Sequence, residues 1–300
     1  SMRSIVEWDT NKPLGEIEQV EHTYAVIGNM NEHQLTVVES TWGGRPELVD
    51  TTGIIDYGSL MQLALERAKT AREAIKVMTG LVKKYGYYSS GESFTIADPN
   101  EAWILDLIGK GPGRRGAVWV AVRIPDDCIA GHANYPRIHK IPMDDKENCL
   151  YSPDVISFAR EMGYFDGLNK DFSFARAYSP ADFGALRACD ARVWSFFRKY
   201  DSTMDNYLPY VNGESAEPFP LYVKPSRKLS VQDMKEAMRD HFEDTPFDMT
   251  QDVGAGPFKV PYRFRPMSFE VDGKSYCMER AIATPVSYTH LRAHETLSDL

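Results

Sequence analysis

Two stretches of period-two hydrophobicity flank one stretch of helical period, and that order restricts the fold more than any other feature of the chain. Tyr24–Met30 and Leu35–Val38 are β-rich about a polar turn, Asn31-Glu32-His33. Asp56–Ala68 then sets Leu60, Leu63 and Ala64 on one helical face. Thr70-Ala71-Arg72-Glu73 has the form of a capping box. It opens a second helix with Ala74, Ile75, Met78, Leu81 and Val82 at helical spacing, ending near Tyr85-Gly86. Strands return at Ser93–Ala97 and Ala102–Leu107 about the turn Asp98–Glu101, and again at Val118–Ile124 and Ile129–Ala133. Hairpins, a helix pair and more hairpins predict α+β layers, not a parallel βαβ winding. Both helical stripes are core faces without chemistry of their own.

The second half turns helical. Ser152-Pro153 and Ser179-Pro180 each read as a cap followed by a first-turn proline, the latter opening a helix to about Tyr200. Ser230–Asp233 caps another helix, Asn212–Ser226 reads as a surface excursion, and Phe269–Cys277 is a hairpin about Asp272-Gly273. The loop Gly109–Gly116 matches a phosphate loop in glycine content only. It lacks the Gly-Lys-Ser/Thr ending and is read as a turn.

Charge and composition remove several classes. A net charge of −9 over 300 residues argues against a nucleic-acid partner, since phosphate binding needs a basic stripe. Arg114-Arg115 is only a lone pair. No apolar run approaches the roughly 20 residues that span a bilayer, so no membrane partner is expected. Cys128, Cys149, Cys189 and Cys277 form no CxxC pair and read as small, buried apolar residues. His132 and His139 are separated by a turn and a proline, no HExxH helix occurs, and His33 reads as a solvated turn residue. No metal and no cofactor is expected.

The chemistry-bearing candidates start where the second strand runs into Glu39-Ser-Thr-Trp-Gly-Gly-Arg45. Polar groups leaving a strand beside permissive glycines line many clefts, and they also make ordinary polar loops; both readings stay open here. Gly28–Leu48 resembles the N-terminal-nucleophile cysteine dipeptidases, a group that includes lactobacillal enzymes and the secernins. The likeness continues through Asp50–Gly58, Tyr87–Phe94, Gly131–Asn134 and Asp252–Pro257, and covers about Val6 to Thr284.

That resemblance implies an α+β fold, an αββα sandwich of the N-terminal-nucleophile hydrolase type, incomplete in this chain. It implies an amide hydrolase whose nucleophile is a cysteine at the processed N-terminus, acting on short peptide substrates without cofactor. No such cysteine precedes Glu7-Trp8-Asp9, where the chain opens Ser1-Met2-Arg3-Ser4. Residues 1–284 are therefore expected to be a partial domain without peptidase activity alone, prone to self-association through exposed sheet edge and core. Val286–Thr296 resembles a translated sequencing adapter, so 285–300 is read as a non-native tail, His290 and His294 included.

By the same resemblance Asn134 is the candidate oxyanion donor, with a turn asparagine before Pro136 as the alternative, and Thr41 is a weaker second donor. Arg192 stands in register with an arginine near the nucleophile; the alternative is a structural ion pair with Asp182 or Asp190. Glu39 and Arg45 are candidate clamps for a dipeptide's ammonium and carboxylate, and Trp42 and Glu92 candidate cleft-lining residues. Alternatives are an N-acyl amide hydrolase of the penicillin V or bile-salt type, and a non-catalytic binding or assembly module.

Overall fold

The structure, a computed structural model, describes residues 1–263 and 268–284. Two compact units are present, Ser1–Ala181 and the described part of Asp182–Leu300. The 285–300 segment, assigned above as a non-native tail, lies outside the described residues.

The first unit opens with an antiparallel hairpin, β1 (Met2–Val6) and β2 (Pro13–Glu18). Its main sheet has seven antiparallel strands: β3 (Val26–Ile27), β4 (Met30–Asn31), β5 (Thr36–Trp42), β6 (Gly91–Ala97), β7 (Ala102–Gly109), β8 (Ala117–Ile124) and β10 (Cys149–Tyr151). Their spatial order is β10-β8-β7-β6-β5-β4-β3, and β9 (Ile129–Ala130) lies outside this sheet. Helices α1 (Tyr57–Arg67) and α2 (Ala71–Tyr85) connect β5 to β6.

Register decides which side chains meet. Thr41 pairs with Glu92 and Glu39 with Phe94, so Val37, Glu39, Thr41, Glu92 and Phe94 share one face. On that face Val37, Phe94, Ile96, Trp103, Leu105 and Leu107 pack with Leu60, Leu63, Ala64, Ile75 and Met78 of the helix pair. Each fully buried large aliphatic here contributes about 1.5–3 kcal/mol. The α+β layering expected from the segment order is thus present as one sheet with a helical layer. Asp56 caps α1 by accepting from Ser59 N–H at 3.0 Å. Thr70 caps α2, but the Glu73 carboxylate reaches Lys69 N–H, one residue further back than a capping box requires.

The opposite face carries Ser40, Trp42, Ser93, Thr95 and Asp106. Asp106 is fully buried and accepts from Ser93 Oγ at 2.6 Å and from the Arg137 and Ile138 amides at 3.0 Å each. The two amides hold Arg137 and Ile138 against the sheet.

Several sequence expectations need correction. Tyr24–Met30 is not one strand: Gly28 adopts φ +55°, and Val26–Ile27 folds back on Met30–Asn31. Asn31 fixes the next turn, since its Oδ1 accepts from the His33 and Leu35 amides and its Nδ2 donates to Leu65 and Ala68 carbonyls at 2.8 Å. His33 is half-buried against the Tyr24 ring at 4.6 Å, not solvated. The strand foreseen to Ala133 stops at Ala130, because His132 and Asn134 spend their hydrogen bonds on side chains and on β5. Ser152 accepts from Trp119 N–H and caps nothing, so α3 (Val155–Glu161) starts after Asp154. Ser179 closes α4 (Phe174–Tyr178) instead of opening a helix.

In the second unit Asp182 Oδ1 accepts from Ala185 N–H at 2.7 Å and starts the helical run. A π-helical turn, Ala185–Asp190, leads into α5 (Ala191–Arg198). The short α6 (Leu208–Val211) and β11 (Tyr222–Val223) follow. The excursion around 212–226 is anchored by Phe219, 2% exposed, which packs on Phe197, Tyr207 and Tyr210. The Ser230–Asp233 capping box opens α7 (Val231–Ala237) as expected. So does the Asp272-Gly273 turn, with φ +50° and +73°, joining β12 (Ser268–Val271) to β13 (Lys274–Cys277).

Candidate functional site

The end of β5 gathers most of the polar candidates. Alternation sends Glu39 and Thr41 to the helical face and Ser40 and Trp42 to the other. Thr41 Oγ1 donates to Glu92 Oε1 across the strand pair at 2.6 Å. The Thr41 carbonyl accepts from Asn134 Nδ2 at 2.6 Å, so one residue ties the buried carboxyl to the loop asparagine. Asn134 N–H donates to Ser40 Oγ at 3.1 Å. Its φ of +60° is the left-handed region, which asparagine tolerates better than most residues. The left-handed backbone at this loop position suits an asparagine, and its side-chain amide is held at the strand end.

His132, which sequence reasoning left outside the site, organises the same corner. Its Nδ1 lies 2.6 Å from Ser40 Oγ and its Nε2 2.9 Å from Thr95 Oγ1. The neutral ring donates from one nitrogen and accepts at the other, so the Ser40 and Thr95 hydroxyls take opposite roles on it. Burial, aided by the Arg137 charge, lowers His132 to about 4 and keeps the ring neutral at pH 7. The signal in the sequence was His132 two residues before Asn134; only the fold shows that it reaches Ser40.

The carboxyls are the electrostatic centre. Glu92 is fully buried, and burial first, then the charge of Glu39 and of Asp9, pushes it up to about 10 despite the Thr41 hydrogen bond. Glu92 therefore carries a proton at neutral pH. Tyr57 donates to Asp9 Oδ1 at 3.0 Å nearby, and burial raises its hydroxyl strongly.

The other candidates separate. Trp42 is 2% exposed and donates to Ser93 Oγ at 3.1 Å, on the face of β5 opposite Glu39 and Thr41. Arg45 Nε donates to the Ala177 carbonyl at 2.6 Å, and its guanidinium lies 3.7 Å from the Tyr164 ring centroid. Arg192 belongs to the second unit, where Nε donates to the Ala188 carbonyl at 2.8 Å. Burial, then the Arg280 charge, lowers its pKa, with Cys189 and Asp190 acting oppositely. Asp190 accepts from the Tyr210 hydroxyl at 2.8 Å.

The four cysteines carry free thiols. Cys149 is buried, and burial raises it to about 11. Burial also raises Cys189. Cys277 is exposed, which corrects the expectation that all four are buried. Among the described residues no group of three or more His, Cys, Asp or Glu converges to hold a metal ion, and no helix is long and apolar enough to cross a membrane.

The end of β5 thus brings carboxyls, hydroxyls, a histidine and an asparagine to one end of an antiparallel sheet backed by helices. A sequence model of Peptidase family C69 matches residues 1–283, and the chain belongs to that family. It is 29% identical over 221 residues to a probable dipeptidase of Salmonella dublin, covering 71% of this chain and 48% of that protein. A dipeptidase of Bifidobacterium longum is 27% identical over 236 residues, covering 74% of this chain and 41% of the relative. Dipeptidase A of Lactobacillus helveticus is 26% identical over 222 residues, covering 74% and 44%. The chain thus spans less than half the length of each of these curated relatives.

Proposed function

We propose that these residues form part of a cysteine dipeptidase of the N-terminal-nucleophile type, an αββα sandwich when complete, that hydrolyses short peptides through an acyl-enzyme. Family membership supports the hydrolase class, and the dipeptidase names of its relatives support the substrate class. The sheet with helices on one face has the form of half such a sandwich.

The observation that carries the reading is Asn134 in a left-handed backbone, its amide against the carbonyl of Thr41, whose hydroxyl in turn donates to Glu92. In the proposed reaction the Asn134 amide donates to the oxyanion of the tetrahedral intermediate, and a thiolate attacks the peptide carbonyl. Thr41 acts through Glu92 and Asn134, as a positioning residue. Glu39 is proposed to receive the substrate ammonium and Arg45 the carboxylate, with Glu92 beside Glu39. Cys149 and Cys189 have raised thiol pKa values, the opposite of an activated nucleophile. The attacking sulfur is proposed to be that of a cysteine at the processed N-terminus of the full protein.

Buried carboxyls favour substrates with a free amino group over N-acyl amides. The test is turnover of dipeptides against their N-acetyl forms by a full-length protein carrying these residues. Preferential cleavage of free dipeptides is expected; cleavage of N-acyl amides alone supports the acylase reading, and no cleavage of either supports a non-catalytic module.

A further inference from the structure

A cavity of about 570 Å³ in the first unit shares no lining residue with the strand-end site. Its size falls within the roughly 300–1,000 Å³ of small-molecule sites. Lys76, Gly80 and Lys83 border it from one face of α2. Lys110 and Arg115, from the loop between β7 and β8, border it from the sheet side, and the half-buried Trp119 of β8 lies in its wall. The Gly109–Gly116 turn, which lacks the ending of a phosphate loop, thus brings two cations to a cavity through side chains and not through a cradle of amides.

Four cations meet one carboxylate in this lining. Asp154 pairs with Lys110 and fixes it at the wall, where the ammonium lies 5.8 Å from the Phe158 ring centroid. Arg115 Nη1 donates to the Lys84 carbonyl at 3.4 Å, which leaves the other guanidinium N–H groups for a ligand. Lys76 and Lys83 are exposed and, among the described residues, make no ion pair. In a chain of net charge −9 this is a local reversal of sign that draws anions. Gly80, between the two lysines, is a second and independent observation. A glycine inside a helix costs stability relative to alanine, yet a Cβ there would meet nothing within 4 Å. No neighbour within the fold requires a glycine at this position. It leaves the helix face open where the two lysines, about 10 Å apart along the axis, reach over it.

We propose that this cavity binds a small organic polyanion carrying a flat ring, of the nucleoside phosphate class. Phosphate oxygens accept from Lys76, Lys83 and Arg115, in charge-assisted bonds. The ring lies against Trp119, the aromatic part of a wall otherwise made apolar by Ala117 and Pro153. Gly80 lets the ligand approach the α2 backbone. The site is a binding site only, and it is independent of peptide hydrolysis.

The experiment is calorimetry of this chain at physiological ionic strength with ATP, inorganic triphosphate and adenosine. ATP is expected to bind one to one with a sub-millimolar Kd, triphosphate at least fivefold more weakly, and adenosine without measurable heat. The double variant Lys76→Gln, Lys83→Gln should raise the ATP Kd at least tenfold. Gly80→Leu, which fills the cavity, should do the same while its Tm stays at or above the parent's, since leucine is the better helix former. Lys84→Gln removes a neighbouring charge outside the cavity and should leave the Kd within twofold of the parent's. Absence of ATP binding, equal affinity for ATP and triphosphate, or an equal loss in Lys84→Gln overturns the proposal.

Discussion

At the scale of single residues, protonation of buried groups gives testable signs. Glu92 has a folded pKa of about 10 against the usual 4.5 of a free glutamate. The folded state therefore binds the extra proton, and its stabilising share is complete below about pH 4.5 and lost as pH rises through about 10. Glu92→Gln, which mimics the neutral acid, is expected to flatten that decline, so that the variant gains on the parent steadily from pH 5 to 9 in urea melts. His132 has the opposite sign: its folded value is near 4 against 6.5, so the stability it permits is present above pH 6.5 and lost as pH falls towards 4. A His132→Asn variant should show a shallower acid limb, read as the difference between the two stability–pH curves. Neither shift is legible in the sequence. Glu92 and His132 look like an ordinary strand carboxylate and a turn histidine until register places one under α1–α2 and the other between Ser40 and Thr95.

At the scale of elements, glycines set the packing around β5 and β6. A Cβ on Gly91 would lie 2.1 Å from the Trp42 ring, and one on Gly44, at φ +67°, would meet Ile108 at 2.6 Å. Gly91→Ala is expected to cost about 1–3 kcal/mol and to change the near-ultraviolet dichroism of Trp42. Asp106→Ala leaves the Arg137 and Ile138 amides without an acceptor and should cost roughly 2–5 kcal/mol, measured by urea unfolding. The helix pair and the long strands were plain from periodicity, because α1, α2 and β6–β8 bury one continuous face. The segments that failed, Tyr24–Met30 and Ile129–Ala133, are those where one asparagine or histidine diverts the backbone through side-chain hydrogen bonds. Periodicity carries no trace of such bonds. The Ser-Pro pairs misled for a related reason: Ser152 is engaged by β8 and Ser179 ends a helix.

At the scale of the whole molecule, the account joins a family assignment over residues 1–283 to a strand-end site in the first unit. Alternation on β5 turns the Glu39 and Thr41 backbone groups to the edge opposite β6, and Asn134 covers that edge at Thr41. The remaining open stretch is proposed as a route to self-association, and sedimentation should show the chain associating as concentration rises. The most direct test of the central claim uses a full-length protein carrying these residues and the substitution Asn134→Gly. Glycine keeps the φ of +60° and the N–H bond to Ser40 while deleting the side-chain amide. The account predicts a fall of about 100- to 1000-fold in kcat for a dipeptide, with KM little changed and stability lowered by only about 1 kcal/mol. A variant that turns over dipeptides at the parental kcat would contradict it.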